Sequence, residues 1–163
     1  MINHASIPAD EPERVARVIA ELWRSEYFPF VFPGSFVVLA GDEHGTEIEV
    51  QPRGMELTAG PAEVHIKTNK VPSANSETHL NITTPLSFEE ISTIAKREGW
   101  TARICDRMAF NVIELWLENK FMLELMTEAE LKRYRDSMKL ENWRAYAKIA
   151  PQDVPNLKDR WGV

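Results

Sequence analysis

The chain has one cysteine, Cys105, in 163 residues. No intrachain disulfide can form and soft thiolate ligation of a metal is excluded, so a reducing compartment is expected. Positive charge is in deficit: 19 Lys and Arg stand against 25 Asp and Glu, giving a net charge of −6 and a pI of about 5.3. Nucleic acid is therefore not an expected partner, because binding it needs a clustered positive surface. No apolar run approaches the roughly 20 residues that cross a bilayer. The opening MINHASIPADEPE has no basic region followed by an apolar stretch, so no secretory leader is read there. The expectation is a cytoplasmic protein without a membrane partner. What is present is ordinary for a globular chain, with 44% hydrophobic and 27% charged residues. The length suits one domain with a real core or two small fused modules.

Hydrophobic patterning gives the same element order twice. Ile2 to Pro8 reads as a strand, and Asp10 as an N-cap with Pro12 in the first helical turn. Val15, Val18, Ile19 and Leu22 then follow helical spacing, ending at Trp23. Tyr27 to Phe32, broken by Pro29, is at best an edge strand. Ser35 to Ala40 reads as a buried strand, and Thr46 to Gln51 alternates, with Glu47, Glu49 and Gln51 on one face. Residues 57–77 are rich in Pro, Gly, Ser, Thr and Asn and read as a linker, with Val64 to Thr68 a possible extra strand. The order then recurs. Thr78 to Thr84 is a strand, and Ser87 with Glu90 forms a capping box before a helix that ends at Gly99-Trp100. Thr101 to Asp106, Phe110 to Leu117 and Lys120 to Met126 are three further strands, the last two joined at Glu118-Asn119. Thr127 and Glu130 form another capping box, opening a helix that runs to about Ala147, and Trp161 in the tail is placed to dock. The chain thus divides into a first βαβββ module (1–56), a linker (57–77), a second module (78–127) and a C-terminal helix and tail (128–163).

The repeat carries chemistry in register. His4 and Glu49 are 45 residues apart, as are His79 and Glu124, and the second pair is the first shifted by 75 (4 to 79, 49 to 124). On alternating strands His4 shares a face with Ser6, His79 with Asn81 and Thr83, and Glu124 with Met122 and Met126. A carboxylate on the otherwise apolar strand FMLELM is costly to bury without a partner. Two imidazoles and two carboxylates suit a borderline divalent ion: Zn, Ni, Co, Fe or Mn. Four protein ligands leave two positions of a six-coordinate ion for water or substrate. Such a site can polarise a carbonyl and stabilise an enediolate while a carboxylate moves a proton. Glu47 is in phase with Glu49, and the 45-residue symmetry favours Glu49.

The residues INHASIPADEPERVARVIAEL, THLNIT and FMLELM resemble the opening strand and helix, the second opening strand and the last strand of the vicinal-oxygen-chelate superfamily. That superfamily includes glyoxalase I, methylmalonyl-CoA epimerase, extradiol dioxygenases, and fosfomycin and bleomycin resistance proteins. The resemblance covers Ile2 to about Thr127. It implies an α+β fold of two βαβββ modules forming a glyoxalase-like open barrel, here with an added C-terminal helix. It also implies that His4, Glu49, His79 and Glu124 hold the metal. Glu124 would be the catalytic base and Glu49 the opposite candidate. Ser6, Gln51, Asn81, Met122 and Met126 are read as lining the substrate pocket, with a place in the core the equal alternative for the two methionines. The activity implied is a glyoxalase or epimerase reaction on a small carbonyl substrate, in a homodimer. Two alternatives stay open on the same fold: a non-catalytic binder of a cationic antibiotic-type molecule, and an extradiol dioxygenase that needs only His4, His79 and Glu124. The sequence departs from glyoxalase I in having Ser6 and Pro8, not a basic residue, in phase with His4.

The remaining polar residues have simpler readings. His44 falls in a turn and His65 in the linker. Asp106 and Glu114 read as surface charges, Cys105 as a small buried residue, and Lys132-Arg133-Tyr134-Arg135 as the solvated face of the last helix. Trp143 and Tyr146 are placed to pack that helix on the sheet or on a second subunit.

Overall fold

The computed structural model describes residues 3–62, 64–76 and 78–146; the side chains of residues 144 and 146 lie outside that description, as do Ile2, Ala147 and the tail with Trp161. The first module is β1 (His4–Ala9), α1 (Pro12–Trp23), β2 (Glu26–Pro29), β3 (Phe36–Leu39) and β4 (Glu47–Pro52). A hairpin follows, β5 (Met55–Ala59) and β6 (Val64–Thr68). The second module is β7 (Leu80–Thr83), α2 (Phe88–Glu98), β8 (Thr101–Asp106), β9 (Asn111–Leu117) and β10 (Phe121–Met126). Two helices follow, α3 (Glu128–Ser137) and α4 (Leu140–Tyr146).

The two modules have the same topology. Each first strand pairs in parallel with its module's last strand, giving the sheet orders β1-β4-β3-β2 and β7-β10-β9-β8. A parallel pair needs a crossover connection, which α1 and α2 provide at the start of each module. β2, the strand interrupted by Pro29, lies at an edge, where a missing N–H costs no ladder bond.

One face of each sheet packs on the helices. Ile7, Ile48, Val50, Val15, Ile19 and Leu22 from the first module join Ile91, Ile94, Leu115, Leu123 and Leu125 from the second in one buried cluster. The modules are also joined by polar contacts. Thr84 Oγ1 donates to the Leu22 carbonyl at the end of α1, and Trp23 Nε1 to the Thr83 carbonyl. Glu98 accepts from Arg14, Arg17 and Arg97.

Several helix ends differ from the sequence expectation. Asp10 does not cap α1; it binds Arg53 and Lys120 instead. The carboxylate of Glu118, in the β9–β10 turn, accepts from the Asp10 and Glu11 N–H groups, both at 2.7 Å. The second module therefore supplies the acceptor at the start of the first module's helix, where negative charge also complements the helix dipole. Glu118→Ala should cost about 1–2 kcal/mol, lowering Tm by roughly 3–6 °C for a chain of this size in a thermal melt. The Ser87–Glu90 capping box is present as expected. Thr127 makes no side-chain cap bond, and the Glu130 carboxylate that would complete the box accepts instead from the Asn111 N–H at 2.7 Å. The C-terminal helix breaks after Ser137, where the Asn142 amide bonds the Asp136 carbonyl. Among the described residues no helix is long and apolar enough to cross a membrane.

Candidate functional site

The strand alternation that buries Ile7, Ile48 and Val50 turns His4, Ser6, Glu47, Glu49 and Gln51 to the opposite face of the first sheet, the face away from α1. In register His4 lies beside Glu47 and Ser6 beside Glu49. His4 Nδ1 is 3.9 Å from Glu47 Oε1. Glu49 accepts from Ser6 Oγ at 2.6 Å and from Gln51 Nε2 at 3.1 Å. The second sheet repeats the Ser6–Glu49 relation but has Met122 at the position of Glu47, and its histidine approaches Glu124. His79 Nε2 is 3.8 Å from Glu124 Oε2, and Asn81 Nδ2 donates to the same oxygen at 3.2 Å. Ser6 and Asn81 hold equivalent positions, so in each module the residue two past the histidine orients the later glutamate.

The structure thus brings together His79 and Glu124 of the sequence-derived residues in the second module, but not His4 and Glu49 in the first. The histidine of the first module approaches Glu47, while Glu49 is held by Ser6 and Gln51. Met122 is half-buried beside Trp116 in the ladder. Met126 is 1% exposed, in a cluster with Phe110 and Val112 beneath Leu131 and Tyr134 of α3. Among the described residues, no three or more His, Cys, Asp and Glu side chains gather closely enough to hold a metal ion. Each module sets one imidazole near one carboxylate, Glu47 or Glu124.

The donor set suits a divalent ion. Two donors at about 2.1 Å from one ion stand about 3.0–3.4 Å apart at octahedral or tetrahedral angles, so the His4–Glu47 and His79–Glu124 pairs, at 3.9 and 3.8 Å, would have to close to share one ion. On Glu124 only Oε2 faces the histidine. Oε1 accepts from Arg107 Nε at 3.0 Å and Nη2 at 2.8 Å.

Arg107 belongs to a network that the sequence reading missed. Its Nη2 also donates to Glu114 at 2.7 Å, and Arg103 Nε donates to the other Glu114 oxygen at 2.8 Å. Glu114 is 6% exposed and not a surface charge. Burial alone would push its carboxyl up, but hydrogen bonds from Arg107, Arg103 and Trp116 outweigh this and hold it down at about 2. The signal was present in the sequence. Glu114 interrupts the apolar strand NVIELWL as Glu124 interrupts FMLELM. Cys105 is half-buried on the same face, and burial raises its thiol, so it is not poised as a nucleophile.

The paired βαβββ architecture is that of glyoxalase-like folds. Among solved structures, the chain resembles the fosfomycin resistance protein FosX of Mesorhizobium loti, with a TM-score of 0.52 and 15% identity over 82% of this chain and 97% of that one. It resembles the trypanothione-dependent glyoxalase I of Leishmania major at a TM-score of 0.51 and 12% identity, over 91% of this chain and 99% of that one. A mutant FosX of Listeria monocytogenes, solved with Mn(II) and dihydroxypropylphosphonic acid, aligns at 0.51 and 11% identity over 83% and 97%. No family model and no curated protein matches the chain by sequence.

Proposed function

We propose that the chain is a divalent-metal-dependent enzyme of the glyoxalase or epimerase type, acting on a small carbonyl substrate. The observation that carries this reading is the repeated polar pair, Ser6 on Glu49 and Asn81 on Glu124, each two residues past a histidine. Metal in the Listeria FosX complex is consistent with it. A homodimer in which the first module of one chain faces the second of its partner would give His4, Glu49, His79 and Glu124 one common cleft. An ion bound there would polarise the substrate carbonyl. Glu124 is assigned the proton transfer, because Asn81 and Arg107 fix its carboxylate on the open face. Glu49, held by Ser6 and Gln51, is the matching base on the opposite side.

Elemental analysis of freshly purified protein should find about one divalent ion per chain, and His79→Ala should lose at least tenfold in metal affinity. Protein that stays metal-free after growth in metal-rich medium would overturn the reading. A second reading is favoured by one observation, the arginine on Glu124: a non-catalytic binding protein on the same fold. Binding of a cationic small molecule that persists in chelator would select it.

A further inference from the structure

Each module's last strand runs directly into an added element on the histidine- and glutamate-bearing side of its own sheet. After β10 this is α3, whose Leu131 and Tyr134 cover Val112 and Met126. After β4 it is the β5–β6 hairpin. The two ends are filled differently. Phe110 and Tyr134 stack edge to face at 5.1 Å and close the second end. At the first end a cavity of about 180 Å³ remains, lined by Ser6, Pro8 and Gln51 on the sheet and by Met55 and Leu57 on the hairpin.

The hairpin is closed at its own base. Asn69 N–H bonds the Gly54 carbonyl at 2.7 Å, and Asn69 Nδ2 bonds Glu56 at 2.7 Å. Gly54 has φ of +93°, and a Cβ there would run into the Asn69 carbonyl, so the hairpin base accepts only glycine. Pairing alternates its faces. Leu57 opposite Ile66 and Ala59 opposite Val64 make one side apolar, while Glu56 opposite Lys67 and Thr58 opposite His65 make the other polar. The start of the apolar side, Met55 and Leu57, faces the cavity. Gln51, on the metal-facing side of β4, is only 6% exposed.

We propose that this cavity receives a short aliphatic group of the substrate, and that Met55 and Leu57 set its length. The placement fits: Ser6 and Gln51 on the cavity floor are the two groups that hold Glu49. A substrate with its oxygens toward Glu49 would carry its carbon chain under the hairpin. An apolar protein cavity of about 150 Å³ is known to take a six-carbon ring, so 180 Å³ suits a group of about four to six carbons. The inference rests on the Glu49 face being the reaction site, but its test needs no metal.

Full-length, metal-free protein carrying ¹³C-methyl methionine is titrated with primary alcohols from ethanol to octanol. The Met55 methyl signal should move saturably, with affinity rising about fourfold per methylene until about hexanol and then levelling. Leu57→Trp should abolish the response, and Leu57→Ala should move the break to longer chains. Leu57 is 55% exposed, so neither substitution threatens the core. Equal shifts at Met55 and at the exposed Met108 and Met138, or affinity climbing through octanol in every variant, would overturn the proposal. The expected alcohol pattern in a protein that takes no divalent ion would keep the cavity and overturn the metal-dependent reaction instead.

Discussion

Glu98→Ala should be the most destabilising single change outside the apolar core, by about 3 kcal/mol, which is roughly 6–12 °C in Tm. The Glu98 side chain is 5% exposed and accepts from Arg14 at 2.7 Å, Arg97 at 2.8 Å and Arg17 at 2.9 Å. Two of these arginines come from α1 and one from α2, so the carboxylate joins the modules. Its removal leaves three guanidinium groups facing one another across that joint. Each arginine is at least a third exposed and can turn to water, which places the effect at the lower end of the range for broken buried pairs. The same group makes stability depend on acid. Burial alone would push the Glu98 carboxyl up, but the hydrogen bonds from Arg14, Arg17 and Arg97 bring it down to about 2. A carboxyl held lower in the folded state than in the unfolded chain stabilises fully above the unfolded value of 4.5. That contribution is lost as the pH falls from there toward 2. Denaturant unfolding at pH 6, 4 and 3 should show wild-type stability falling across this window, with a shallower fall in Glu98→Gln. Equal slopes for the two proteins would show that the three arginines do not lower this carboxyl.

The order βαβββ, read twice, was legible because it rests on local signals. Val15, Val18, Ile19 and Leu22 alternate at helical spacing, Ser87 and Glu90 cap α2, and Glu118-Asn119 forms the β9–β10 turn with φ of 53° and 55°. The hairpin was half legible. Val64 to Thr68 read as a strand, but its partner Met55–Ala59 fell across the module boundary because the hairpin leaves much of its apolar side exposed. Buried alternation is what makes a strand stand out, and here little is buried. The break between α3 and α4 was hidden for the opposite reason. Leu131, Tyr134 and Met138 keep helical spacing up to it, and the stop depends on a side chain, Asn142, reaching back to the Asp136 carbonyl. At the site, the His79–Glu124 neighbourhood was readable from the repeat, but in the first module the register sets His4 beside Glu47 and leaves Glu49 to Ser6 and Gln51. Arg107 was not readable. It follows β8 in a turn, and only the three-dimensional return of that turn sets its guanidinium between Glu114 of β9 and Glu124 of β10.

Arg107→Ala should therefore act in two opposite directions. Glu114 would keep Arg103 and Trp116 as donors but lose Arg107, leaving a buried carboxylate less satisfied, so stability should fall by about 2–3 kcal/mol. Glu124 would lose its contacts at 2.8 and 3.0 Å and keep only Asn81, so both oxygens could turn toward His79. Two unit charges about 4 Å apart near a protein surface interact by up to about 4 kcal/mol. Removing a cation so close to a metal-binding carboxylate should therefore tighten Mn(II) binding by about tenfold or more. Lysine at the same position should fall between alanine and wild type, since its ammonium keeps the charge but cannot fork between two carboxylates. Calorimetric titration of the three proteins with Mn(II), alongside their thermal melts, separates the two effects. A loss of stability without a gain in metal affinity would remove Glu124 from the ligand set and make the Arg103–Glu114–Arg107–Glu124 chain a purely structural brace. A gain in affinity would show that this arginine's charge opposes the metal at Glu124, whose Oε2 faces His79 while Oε1 holds the guanidinium.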